Sequence, residues 1–259
     1  MNKVALFLTS ILILGSLVAC NSEQTRSSTS TDKTTSTQVT TQPGQENKVA
    51  NEGTAQDTQS WSSENKEVKL TPGKEENSSY ASVTVEVNGM KKEFNWSFPK
   101  LEEPRVFYAD ITGDGKEEAV IIFNTGRGTG LSIDEIHVLN SKDLSEIKVQ
   151  SYQEIVADQI ETKVTRKNNE TLAIKVKSQG KEYQFDYHVP DLNFKQDKLS
   201  FGGVINYGLE NQKIISRLGA SVGVSPQYVG DFNVTYKFDP AKNELIADQI
   251  TFVPSADNK

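Results

Sequence analysis

Cysteine is nearly absent from this chain: Cys20 is the single copy in 259 residues. No intrachain disulfide can form, so the fold must be held by its apolar core. Histidine is almost as scarce, with His137 and His188 far apart and no His-x-x-x-His pair. Without such spacing or a coordinating cysteine, a zinc site is not expected. Long hydrophobic runs are also missing. Apart from Val4–Leu14, about half the ~20 residues that a spanning helix needs, no stretch approaches that length. Basic clusters are limited to pairs such as Lys91-Lys92 and Arg166-Lys167, and 35 acidic residues outnumber 28 basic ones for a net charge of −7. Such a surface repels nucleic acid and acidic headgroups, so no nucleic-acid partner is expected and cations are the more natural ligands.

What is present begins with a leader. Met1–Ala19 has one positive charge at Lys3, an apolar stretch and small residues ahead of Cys20, the pattern of a signal peptide. Leu17-Val18-Ala19-Cys20 resembles the lipobox of bacterial lipoproteins. That resemblance implies that Cys20 is lipidated, becomes the mature N-terminus and holds the chain on the cell membrane, facing the extracytoplasmic side. Loss of residues 1–19 removes Lys3, so 27 basic side chains face 35 acidic ones and the net becomes −8.

Residues 20–66 follow as the lipidated cysteine and a Ser/Thr-rich tether with too little apolar surface to offset the entropy of ordering. A coil of this length reaches roughly 35–40 Å. Trp61 is its one aromatic, either a solvated linker residue or the first contact with the domain. Residues 67–259 are expected to form a single β-rich domain, large enough for its own core.

Within that domain the dominant period is two. Val83, Val85 and Val87 alternate with polar residues, Asn88-Gly89 is a hairpin signal, and Phe94, Trp96 and Phe98 alternate on the return. Leu172, Ile174 and Val176, a turn near Ser178-Gln179-Gly180, and Tyr183, Phe185 and Tyr187 repeat the scheme. Internal duplication and convergent patterning explain the likeness equally well. Val106–Tyr108, Ala119–Phe123 and Ile133–Leu139 read as further strands. Ser151 with Glu154 forms a capping box ahead of one short helix around Tyr152–Ile160. The C-terminal third alternates again through Val204–Leu209, Lys213–Leu218, Phe232–Phe238 and a last strand ending near Phe252. The expected fold is therefore mainly β: an antiparallel sandwich or propeller-like meanders with one short helix.

The densest chemistry lies in Asp110-Ile111-Thr112-Gly113-Asp114-Gly115-Lys116-Glu117-Glu118. Counting from Asp110, oxygen-bearing side chains fall at positions one, three, five and nine, glycine sits at six, and the Lys116 carbonyl is available at seven. Alternating oxygens around a tight turn suit a hard cation that wants six to eight oxygen ligands. An EF-hand is excluded, because its twelfth position needs a bidentate acid and here holds Ile121 inside a strand. The layout resembles the calcium loops of FG-GAP and VCBS-type repeats, with Tyr108-Ala109 in place of the preceding Phe-Gly and a neutral Thr112 at position three. The resemblance covers this loop and its flanks. It implies that Asp110, Thr112, Asp114, Glu118 and the Lys116 carbonyl hold a structural Ca²⁺. The competing reading is an Asp-Gly turn closed by its own hydrogen bonds without metal.

Two glycine patterns carry less. Gly219-Ala220-Ser221-Val222-Gly223 fits the nucleophile-elbow spacing, but both histidines precede Ser221 and Pro226 interrupts the required helix. Gly126-Arg127-Gly128-Thr129-Gly130 follows an apolar strand, yet its third glycine is one residue early for a dinucleotide fingerprint and no Gly-Lys-Ser/Thr follows. It reads as a flexible loop, with Gly126, Arg127 and Gly128 as a possible ligand loop. No catalytic residue is identified. The combined expectation is a membrane-anchored extracytoplasmic lipoprotein whose calcium-stabilised β domain binds a cell-wall component or envelope protein without chemistry. The alternative is a hydrolase of envelope polysaccharide or peptide, using acidic residues near the Gly126–Gly130 loop.

Overall fold

A short run of small strands opens the structure: β1 (Trp61–Ser62), β2 (Val68–Pro72), β3 (Glu75–Glu76), β4 (Ser79–Tyr80), β5 (Val83–Val87), β6 (Met90–Phe94) and β7 (Phe98–Pro99). Longer strands follow as β8 (Arg105–Ala109), β9 (Glu118–Gly128) and β10 (Leu131–Asn140), then the short β11 (Lys148–Val149). Next come α1 (Tyr152–Gln159), β12 (Ile160–Arg166), β13 (Thr171–Ser178) and β14 (Lys181–His188). The chain closes with β15 (Val204–Glu210), β16 (Lys213–Val222), β17 (Gln227–Asp239) and β18 (Glu244–Pro254). This is a computed structural model that describes residues 59–189 and 192–255. The expected leader, Cys20 and most of the expected tether lie outside the described residues.

The fold is mainly β with one short helix, as the alternation requires. An open sheet of eight strands, ordered β11-β18-β17-β16-β15-β10-β9-β8, forms the centre. Sheets β1-β2-β5-β6, β3-β4-β7 and β12-β13-β14 accompany it. Pairing is antiparallel except where β10 meets β15 and β11 meets β18.

Both expected hairpins form, for the expected reason. Asn88 and Gly89 have φ of 51° and 81°, and Gln179 and Gly180 have 48° and 76°, the left-handed pair that a two-residue turn needs to match strand twist. Three expectations are corrected. Trp96 stands in the link between β6 and β7 rather than in one long return strand. The helix ends at Gln159, and Ile160 opens β12 with extended backbone (φ −125°, ψ 115°). Ile160 and Val164 are four apart and mimic a helical stripe, but both face the core from a strand instead. Finally, the domain starts inside the expected tether: Trp61 pairs with Leu70 and packs edge-on against Tyr80 and Phe98, at ring-centroid distances of 6.0 and 5.7 Å.

The strand β9 shows how the layers stack. A strand covered on both faces reads as an unbroken apolar run, because each face takes alternate residues. Val120 and Ile122 enter one core, shared with Leu172, Ile174, Phe232 and Phe252. Ala119, Ile121 and Phe123 enter a second core, shared with Val68, Leu70, Val85 and Phe98. The β8–β10 segment is thus a wall between two cores. Its ends carry the two loops singled out by sequence, since the ten steps from Glu118 to Gly128 extend about 33 Å at ~3.3 Å per residue.

Candidate functional site

At the first end of the wall, Asp110–Glu117 joins β8 to β9. Gly113 and Gly115 have φ of 79° and 81°, and a Cβ added at either would meet nothing within 4 Å. Glycine is required there for backbone conformation rather than for space. Asp110 Oδ1 accepts from Gly113 N at 2.7 Å and Oδ2 from Gly115 N at 3.0 Å. Asp114 Oδ1 accepts from Lys116 N at 2.9 Å. Glu118 Oε2 accepts from the amides of Ile111 and Thr112 at 3.2 and 3.3 Å.

Glu118 is 3% exposed, deep for a carboxylate. Burial raises its pKa above the ordinary range, the two amides pull it down, and the charges of Asp114 and Asp110 raise it further. Asp114 is shifted the other way, mainly by the Lys116 amide. All the donors are oxygens, and each carboxylate oxygen that accepts one amide keeps a second acceptor site. Among the described residues, no three His, Cys, Asp or Glu side chains gather as a metal cluster. Two of the donors expected from sequence, the Thr112 hydroxyl and the Lys116 carbonyl, are of another kind.

At the opposite end, the expected flexible loop is a hairpin tip. Gly126, Arg127 and Gly128 continue β9, with Arg127 opposite Ser132 and Gly126 opposite Ile133 on β10. Tyr228 pins the tip by donating its hydroxyl to Gly130 O at 2.6 Å.

Beside this tip the central sheet splits. β10 and β15 pair only at Ser132–Val204 and Ile133–Ile205, and β10 is irregular between Ile133 and Asp134. Where the strands part, side chains take over the backbone of Tyr207. Asp134 Oδ2 accepts from Tyr207 N at 3.0 Å, and Arg105 Nη1 donates to Tyr207 O at 2.8 Å. Arg105 Nη2 lies 2.5 Å from Asp134 Oδ2, and Asn124 Nδ2 donates to Asp134 Oδ1 at 3.0 Å. A buried carboxylate is tolerable here because a guanidinium, an amide and a carboxamide all donate to it.

Over this clamp lies a cleft of about 480 Å³ in which every lining residue is charged, an amide or a hydroxyl. Arg127, named from sequence, lines it with Arg105, Asn124, Asn206 and Arg217, none of them predicted. They come from β8, β9, β15 and β16, so no sequence window holds them together. Asp134 stands in β10 beside a second carboxylate, Glu135, so the strand's sequence does not single it out.

The remaining motifs are structural. Ser221 lies within β16, 6% exposed, with its hydroxyl 3.5 Å from Ser200 O. His137 stacks on Trp96 at 3.7 Å with 13° between the planes, and its Nδ1 is 2.8 Å from Glu146 Oε1. Its Nε2 comes within 3.2 Å of Glu135 Oε1 without the alignment of a hydrogen bond. His188 ends β14 opposite Thr171. Compared with protein-family models, curated proteins and solved structures, the chain finds no match.

Proposed function

We propose that the chain is a lipid-anchored extracytoplasmic binding module, its β domain clasped by a structural calcium ion at Asp110–Glu118. It engages a cell-wall component or an envelope protein and performs no chemistry on it. One observation carries the calcium reading: the Glu118 carboxylate is 3% exposed and bonded to the Ile111 and Thr112 amides in the turn that also holds Asp110 and Asp114, so burial and neighbouring like charge both weigh on it. A hard cation placed among these oxygens offsets both penalties. Asp110, Thr112, Asp114, Glu118 and the Lys116 carbonyl would hold it, and the ion would supply charge neutralisation that fixes the β8–β9 connection. The membrane anchor rests on the lipobox resemblance at Leu17–Cys20.

Binding is favoured over hydrolysis by the state of Asp134. A general acid or base needs a carboxylate that can exchange a proton with substrate. Asp134, the buried carboxylate of the cleft, is instead occupied by Arg105, Tyr207 N–H and Asn124, and Glu102 at the rim is paired with Arg127, leaving only the exposed Glu103 without such a partner among the described residues. The reading is tested by capture of purified cell-envelope fractions on the full chain in detergent, with calcium and with chelator. Capture of an intact component, stronger with calcium, is the expected result. Release of cleaved glycan or peptide, or no capture in either condition, contradicts the module.

A further inference from the structure

We infer that the polar cleft at the β9–β10 tip is an oxyanion site, taking a carboxylate or phosphate group borne on a hydroxyl-rich carrier. The inference rests on the reading of the domain as a binding module and gives that module a place and a ligand chemistry. It starts from the three guanidinium groups that line the cleft, those of Arg105, Arg127 and Arg217. They differ in how fully they are spent.

Arg105 is committed to the fold, because Asp134 and the Tyr207 carbonyl hold its two terminal nitrogens. Arg127 pairs with Glu102 at 2.6 Å, but their side chains are 65% and 32% exposed. An ion pair in that much water is weak, so a ligand anion can take the place of Glu102 at little cost. Arg217 is the least neutralised. Its Nη2 donates to Asn206 Oδ1 at 3.3 Å, and the Asp231 carboxylate stands 3.9 Å from Nη1, beyond hydrogen-bonding distance. A guanidinium has five donors in a fixed fork, so Arg217 keeps most of its capacity for a bidentate oxyanion.

The surroundings select the carrier. No aromatic side chain lines the cleft, so a sugar ring or a base finds no stacking platform there. Hydrogen-bonding groups are instead abundant. Asn206 is fixed by donating to Ser132 Oγ at 2.7 Å, and Asn124 by donating to Asp134 Oδ1. Amides held in one orientation, beside the carboxylates of Glu102 and Glu103, match hydroxyl groups that both donate and accept. The volume of about 480 Å³ fits one such unit. The net charge of −7 on the whole chain opposes long anionic polymers, so the fit is to a local charged group rather than to a polyanion.

The test is calorimetric titration of the full chain in detergent with three probes: glucuronate, glycerol phosphate and neutral glucose. Saturable binding of glucuronate or glycerol phosphate, with glucose at least about tenfold weaker, is expected, since a lost charge-assisted hydrogen bond costs on that order or more. The anion that binds tells whether a carboxylate or a phosphate carrier is the source. Arg217→Ala weakens the anion by about tenfold or more, Arg217→Lys recovers only part because the fork is lost, and Arg127→Ala weakens it less. Unchanged melting temperatures of these variants show that the fold is intact. Equal binding of glucose, no binding of either anion, or anion binding indifferent to both arginines overturns the site. If envelope fractions are still captured after Arg217→Ala and Arg127→Ala, the module stands and the cleft falls; if nothing is captured by the unaltered chain, the module falls.

Discussion

Asp134 sits with its side chain 3% exposed while Arg105, its partner, keeps 46% of its side-chain surface in solvent. The pair is asymmetric, and so are its variants. Arg105→Ala leaves a buried carboxylate without its cation and is expected to cost about 2–3 kcal/mol, less than the ~3–5 of a fully buried pair because the guanidinium is half hydrated. Asp134→Asn keeps an acceptor for Tyr207 N–H and is expected to cost less than Asp134→Ala. Urea midpoints for the three variants check both statements, and equal stability across the set would refute the clamp. Little of this was legible in sequence. The residues that satisfy Tyr207 are Arg105 and Asp134, and they matter because β10 and β15 part after Ile133 and Ile205, a fact of tertiary topology. The Asp110–Glu118 turn was legible for the opposite reason, since its oxygen-bearing side chains fall within nine residues and its glycines answer a local backbone demand.

Among the elements, α1 shows how a short helix is fastened at its start. Ser151 and Glu154 form a reciprocal capping box, and Lys148 Nζ reaches Glu154 Oε1 at 2.9 Å. The Lys148 ammonium, and then the Ser151 backbone and hydroxyl, lower the Glu154 carboxyl from 4.5 to about 2. A carboxyl lowered on folding stabilises fully above its unfolded value and loses that contribution as pH falls through the folded one. The part of acid unfolding due to α1 is therefore expected between about pH 4.5 and about pH 2, and Glu154→Gln flattens the slope there. Urea midpoints across that range measure it; a wild-type slope in the variant would count against the cap. Ser151→Ala should cost about 1 kcal/mol by the same measurement.

The strand β9 makes a larger prediction, because its alternation feeds two cores. Ile121→Ala opens a cavity on the Val68–Phe98 side and Ile122→Ala on the Leu172–Phe252 side, each expected to cost about 2–5 kcal/mol. Substitutions on opposite faces should add within a few tenths of a kcal/mol unless the wall itself yields. The capping box and both hairpin turns could be read in advance, since each is encoded within four residues. The strand β12 could not, because Ile160 and Val164 satisfy the helical spacing as well as the strand's two-residue one.

For the whole molecule, one wall carries both candidate features: the Asp110–Glu118 loop between β8 and β9 and, about 20–30 Å away along β9 at Asn124 and Arg127, a polar cleft. The mainly antiparallel β architecture followed from alternation and turn residues. The assembly of the cleft from separated strands did not, because no local pattern encodes which strands become neighbours. The central claim is that the loop is a calcium clasp. With three carboxylates and a hydroxyl, an affinity on the order of 10⁻⁴–10⁻³ M is expected. At about 10 mM calcium this stabilises by about 1.4–2.7 kcal/mol, or ~3–10 °C for a domain of this size. Thermal melting of the full chain in detergent, with calcium, with magnesium at equal ionic strength, and with chelator, tests it directly for the unaltered chain and for Asp114→Ala. The expected result is an upward shift specific to calcium that Asp114→Ala abolishes; superimposable melts with calcium and chelator, or a shift that survives Asp114→Ala, would contradict it.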